Sequence, residues 1–183
     1  MKKVRFKVFF SILAVSIMIT TGCKKDPEVA ENDMKQMTLT LQREGAGWLQ
    51  KIVLAGTGTA TIDWGDDSEI EKVTLFPGAI DEGKGVNVQH SYGRATGNVT
   101  VTITGSNITG LQIYCPEITT LDVSENRALT WLSCLSGRLT TLDVSKNKEL
   151  IGLRCTFNPL TNLDLKNNTA LAVLMIVSRT LFR

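Results

Sequence analysis

Two periods run along this chain. Between residues 37 and 104 apolar and polar positions alternate in short runs. These are Met37-Thr-Leu-Thr-Leu41, Ile52-Val-Leu54, Thr59-Ala-Thr-Ile-Asp-Trp64, Val73-Thr-Leu-Phe76, Val86-Asn-Val88 and Val99-Thr-Val-Thr-Ile-Thr104. Glu44-Gly-Ala-Gly47, Gly65-Asp-Asp-Ser68, Pro77-Gly78 and Gly93-Arg-Ala-Thr-Gly97 separate some of them. Short alternating runs parted by such residues predict half-buried strands joined by turns, and at this spacing a small β-sandwich. No stretch here carries a helical period.

From residue 106 the period becomes 21. Leu121-Asp-Val-Ser124, Leu142-Asp-Val-Ser145 and Leu163-Asp-Leu-Lys166 keep that step. So do Ile118, Leu139 and Leu160; Asn126, Asn147 and Asn168; Leu129, Leu150 and Leu171; and Leu111, Leu132, Leu153 and Leu174. Each unit reads L-x-x-L-x-[VL]-x-x-N, and Leu150 to Asn158 repeats it as L-x-x-L-x-C-x-x-N. Self-similarity at this period is the signature of a leucine-rich-repeat solenoid. The chain is therefore expected to be mainly β, a sandwich followed by a short solenoid of flat 21-residue coils.

Alternation within L-x-L sends the apolar pair inward and the residue between them outward. The Asn column is expected to hydrogen-bond neighbouring backbone at each turn. Cys134 and Cys155 share a column with Ile113 and Ile176, so they read as small buried hydrophobes. Stacked parallel side chains suit disulfide geometry poorly, which favours free thiols. The outward columns are Thr120, Thr141 and Asn162; Asp122, Asp143 and Asp164; and Ser124, Ser145 and Lys166. At a strand spacing of about 4.8 Å, neighbouring carboxylates repel by about 0.9 kcal/mol in water. The strip reads either as a recognition surface or as a solvated face. Trp131, between Leu129 and Leu132, is expected to point outward, where it would either anchor a partner or stack on a sugar, or be covered by a neighbouring coil.

The first 23 residues have a different composition. Lys2, Lys3, Arg5 and Lys7 precede an apolar run from Val8 to Ile19, then Thr20-Thr21-Gly22-Cys23. This is the plan of a secretory signal, with an apolar run shorter than the roughly 20 residues that span a bilayer. Of the chain's 20 basic and 18 acidic residues, four basic ones lie in residues 1–22. Without them the balance is 16 against 18, a net of −2, which gives no reason to expect nucleic acid as a partner. Residues 24–33 are polar and charged and read as a tether.

A single histidine argues against His-based triads and multi-His metal sites. The Asp column is repetitive, unlike the paired carboxylates of a hydrolase. No catalytic residue, metal site or cofactor is expected. Asp63, Asp66, Asp67 and His90 read either as a metal or catalytic cluster or as a tight turn beside a hydrogen-bonded structural histidine.

Thr-Gly-Cys23 resembles the bacterial lipobox, with Thr20 where Leu is usual; the resemblance implies cleavage before Cys23 and acylation of its thiol, palmitate included. Asp63-Trp-Gly-Asp-Asp-Ser68 and His90-Ser-Tyr92 resemble the W-G-D-G and H-x-Y signatures of PKD-type domains, with Asp67 in place of Gly. Taken together, the chain resembles Bacteroidetes surface lipoproteins in which a PKD-like domain precedes repeats of the type L-T-x-L-D-V-S-x-N-x-x-L-x-x-L-x-C. Lys24-Lys25-Asp26 partly matches the charged stretch that accompanies export to the surface of such cells. The implied division is 1–22 signal, 23–36 lipidated cysteine and tether, 37–105 PKD-like domain, 106–177 repeats and 178–183 tail. The implied protein is a lipid-anchored interaction or adhesion module of the outer membrane, binding an unknown protein or other ligand through its repeat face. The alternative is a carbohydrate-capture lipoprotein of a polysaccharide-uptake system, contacting glycan through Trp131 and the Asp column. The almost wholly apolar Leu171-to-Val177 segment further predicts self-association through residues 171–182.

Overall fold

The computed structural model describes residues 34–45, 49–78, 80 and 84–177. The signal, Cys23, most of the tether and the tail lie outside the described residues. The named elements are all strands: β1 (Lys35–Glu44), β2 (Leu49–Asp63), β3 (Glu71–Leu75), β4 (Val86–Ser91), β5 (Thr96–Tyr114), β6 (Ile118–Asp122), β7 (Trp131–Leu135), β8 (Gly152–Arg154) and β9 (Val173–Met175). They form one mixed, open sheet system whose main path is β3-β2-β5-β7-β8-β9.

The alternation in β1 works as the pattern predicts. Met37, Leu39 and Leu41 are buried and the residues between them are not. They lie opposite Ile103, Val101 and Val99 of β5. Two predicted runs, Ile52–Leu54 and all but the last residue of Thr59–Trp64, belong to the single strand β2. The segment between them is not a turn but an irregularity. Register shifts fall at Ala55/Gly56 and Thr57/Ala60. Gly56 and Gly58 take φ of 154° and 79° there. A Cβ on Gly56 would lie 2.1 Å from the Asn107 carbonyl oxygen, so only glycine lets the two strands stay paired through the bend.

β5 crosses residue 105 without a break. Its first half pairs with β1 and the end of β2; its second half pairs with the start of β2 and, in parallel, with β7. The same 21-residue step then repeats as hydrogen-bonded register: Leu111↔Leu132, Leu132↔Leu153 and Leu153↔Leu174. On the opposite side β1 runs antiparallel to β6, with Leu39 across from Leu121. One core results, from Met37 through Ile103 and Leu111 to Leu153 and Leu160. Burying each such side chain contributes about 1.5–3 kcal/mol.

The Asn column does what its spacing suggests. Asn147 Nδ2 donates to the carbonyls of Val123 (2.9 Å) and Asn126 (2.7 Å), one repeat back. Asn168 does the same to Val144 (2.9 Å) and Asn147 (2.8 Å). The first member, Asn126, instead meets the Met37 sulfur of β1 at 3.4 Å. A second, offset column appears at Asn158, whose Nδ2 donates to Cys134 O at 2.7 Å while its Oδ1 accepts from Leu139 N at 3.2 Å. Its predecessor is Gly137, where a Cβ would lie 2.6 Å from that Asn158 Oδ1.

Candidate functional site

The outward strip is assembled from β6 and the two segments that follow it at 21-residue steps. Thr120, Asp122, Thr141, Asp143, Asn162 and Asp164 are exposed, and Ser124 and Ser145 are half-buried. Thr120, Asp122, Ser124, Thr141 and Asp143 line a shallow groove together with Leu121. Asn162 and Asp164 continue the strip beyond it.

The carboxylates have a local task. Oδ1 of Asp122, Asp143 and Asp164 accepts the backbone N–H two residues on, from Ser124 (2.9 Å), Ser145 (2.8 Å) and Lys166 (3.0 Å). Each is a small Asx-type turn that ends one repeat segment. The backbone N–H and the hydroxyl of Ser145 hold the Asp143 carboxyl below its usual range, although the neighbouring Asp164 charge pushes the other way. Lys166 lowers Asp164 through its side chain and its backbone, and its Nζ lies 2.9 Å from Asp164 Oδ2. The turns therefore account for the Asp column, and the hydrogen bonds offset the repulsion between its members. Beside the strip, Arg127, Ser145, Lys146, Lys148, Glu149 and Asn167 line a second groove with more basic than acidic groups.

Of the two courses open to Trp131, cover by a neighbouring coil is the one observed. The side chain does face away from Leu132, but it is only 8% exposed. Its ring lies over Gly152, packs with Ala55, Ile80 and Val173, and carries the Arg154 guanidinium 4.9 Å from its centroid. A side chain that faces out from its own strand is here covered by four other segments, so it is not available as a ligand anchor.

Among the described residues the cysteines Cys115, Cys134 and Cys155 are buried free thiols. Burial pushes Cys115 up to about 12 and Cys155 to about 11, and raises Cys134 as well.

Within the cluster of Asp63, Asp66, Asp67 and His90, the His90–Asp66 pair and the turn's own backbone take up the polar groups of Asp63, Asp66 and His90. His90 stacks on Trp64 at 4.8 Å, meets Tyr92 edge-on at 4.6 Å, and holds Asp66 Oδ2 at 2.8 Å through Nε2. The Tyr92 hydroxyl donates to Trp64 O at 2.8 Å. Asp63 and Asp66 each accept a backbone N–H within the turn. Asp67 takes φ of 66°, the left-handed conformation its place in the signature calls for. Among the described residues no group of three or more His, Cys, Asp and Glu side chains is placed to hold a metal ion.

One cavity was invisible in the sequence. Glu44 at the end of β1, Tyr114-Cys-Pro-Glu117 from the end of β5 toward β6, and Leu135, Ser136 and Arg138 at and after the end of β7 line an open pocket of about 520 Å³. Arg138 ion-pairs with Glu44, 94 residues away, and buried Glu117 accepts the Glu44 N–H at 3.2 Å. An apolar wall with a few converging polar groups is the usual make-up of a small-ligand pocket. Nothing local to these segments signals that they meet.

No family model matches the chain, and no curated protein does. Among solved structures it is similar to the functional domain of InlJ from Listeria monocytogenes, described as including a cysteine ladder. Identity is 45%, over 34% of this chain and 14% of that one, with a TM-score of 0.34. The likeness covers a small part of that protein's length.

Proposed function

We propose that the chain is a lipid-anchored interaction or adhesion module of the bacterial outer membrane. In this reading residues 37–105 are a PKD-like domain, residues 106–177 a leucine-rich-repeat solenoid, and Cys23 the acylated anchor. The observation that carries it is the strip. Eight polar side chains from Thr120 to Asp164 stand exposed or half-exposed at a constant 21-residue step, over apolar columns that are buried at Leu121, Val123, Leu142 and Val144 and half-buried at Leu163 and Leu165. Such a surface is rigid before it meets a partner, so binding costs little ordering entropy. The function is recognition, without catalysis, and the ligand is a protein. The carbohydrate-capture reading loses its aromatic support with the burial of Trp131.

The purified chain is tested against arrays of cell-surface proteins and of glycans. The expected result is a protein ligand whose affinity falls about tenfold, about 1.4 kcal/mol, in Thr120→Arg with Thr141→Arg. These substitutions crowd the strip and leave its Asx turns intact. Binding indifferent to that pair would remove the strip from the interface. Binding confined to glycans would favour carbohydrate capture.

A further inference from the structure

We infer that the pocket beside Glu44 and Arg138 takes a lysine side chain of a protein ligand, with the ammonium on Glu117 and the stem along Tyr114, Pro116 and Leu135. The inference builds on the reading of the chain as a protein-recognition module and names the chemistry of its partner.

The ionic groups of the pocket lie at two depths. Glu117 is 5% exposed, whereas the side chains of Arg138 and Glu44 are 42% and 58% exposed. Glu117 and Arg138 hold the same place in successive repeats. Yet the guanidinium pairs with Glu44, which influences it most, and the Glu117 charge influences it least. Two carboxylates and one guanidinium line the pocket, so the buried carboxylate is left without a charge partner of its own. The nearby Lys51 lies over the Tyr114 ring at 5.5 Å and is not part of the lining. Oε1 of Glu117 accepts the Glu44 N–H at 3.2 Å, long for a charged acceptor. A carboxylate taken out of water with so little in return is stabilised by a cation.

The rest of the wall is largely carbon, from Tyr114, Pro116 and Leu135. Lysine lays its stem along such a surface while its head reaches a polar partner. Its ammonium is a compact charge that one oxygen can serve, whereas a guanidinium fits a carboxylate through both oxygens. Here one oxygen already holds the Glu44 N–H. The pocket also adjoins the strip. Glu117 directly precedes β6, with Thr120 and Asp122, and Arg138 directly precedes residues 139–143, with Thr141 and Asp143. A basic protein segment lying along the carboxylates of the strip brings a side chain within reach of Glu117, with charge complementary to both.

The test uses the full chain in mild detergent and ligand-observed magnetic resonance. The probes are the N-acetyl methylamides of lysine, norleucine and glutamate, and n-butylamine. The lysine probe should bind saturably, about tenfold more tightly than the other three. Glu117→Gln should abolish that preference with the circular dichroism unchanged. Arg138→Gln should tighten lysine binding, because it frees the Glu44 carboxylate beside Glu117; a pocket built for an anion would instead lose its ligand. Should Glu117→Gln fail to fold, Arg138→Gln decides. Norleucine binding as well as lysine, a preference for glutamate, a tighter fit for n-butylamine, no saturable binding, or weaker lysine binding in Arg138→Gln would overturn the inference. The probes are too small to need the strip, so their failure leaves the strip's role standing, and failure of the strip variants leaves the probe result standing.

Discussion

The ring of Trp131 lies so close over Gly152 that a Cβ on the glycine would sit 2.1 Å from two ring carbons. Gly152 is the register partner of Trp131 on the next parallel strand. The glycine is there to make room for its neighbour's ring, and the ring in turn covers glycine backbone that no side chain protects. Gly152→Ala should therefore destabilise the chain by about 1–3 kcal/mol, the range for overpacking. Urea denaturation measures it, and an unchanged midpoint would mean that the ring moves aside freely.

The Asn column makes a graded prediction. Asn147→Leu removes two donors from the carbonyls of Val123 and Asn126 in the core, at a cost of about 1–3 kcal/mol. Asn126→Leu should cost less, because its amide meets only the Met37 sulfur, a weak acceptor. Equal losses in the two variants would show that the column is not held by backbone capture.

Acid should loosen the turn between β2 and β3. Burial pushes the Asp66 carboxyl up, but hydrogen bonds from Ser68 and His90 outweigh it and hold the group below its ordinary 3.8. A carboxylate lowered in the folded state contributes stability above that ordinary value and loses it as pH falls through the folded one. The contribution is thus intact at neutral pH and disappears below about pH 4. Asp66→Asn should be less stable than wild type at pH 7, with the difference shrinking in acid. A constant difference across that range would remove Asp66 from the acid response.

Thiol chemistry follows from burial. The folded chain should react slowly with a thiol reagent at Cys115, Cys134 and Cys155, because their raised pKa values leave little thiolate and their sulfurs are enclosed. All three should react once the chain is unfolded without reductant. A pair that stays unreactive after unfolding would indicate a disulfide.

For the proposed anchor, labelled palmitate should enter the wild type and not Cys23→Ser. Equal labelling would place the lipid elsewhere or exclude it.

Much of the architecture was legible one segment at a time. Alternation marks Met37, Leu39 and Leu41 as buried, and a 21-residue step marks Leu132 and Leu153 as one column, because backbone periodicity decides which way a side chain points relative to its own strand. The equivalence of Cys134 and Cys155 with isoleucine follows from the same register. The cover over each side chain was not legible. Trp131 points outward as its register requires, yet Ile80, Val173 and Arg154 arrive from elsewhere to bury it. The Gly56–Thr57–Gly58 segment would pass for a turn, but facing β5 it becomes a bend within one strand. The Glu44–Arg138 pair and the cavity beside it depend on β1 returning to lie along β6, some eighty residues later. Local sequence determines conformation and facing, which are properties of a few bonds. Burial and pockets depend on which distant segments come together, and the free energy of those contacts is recorded only in the folded chain.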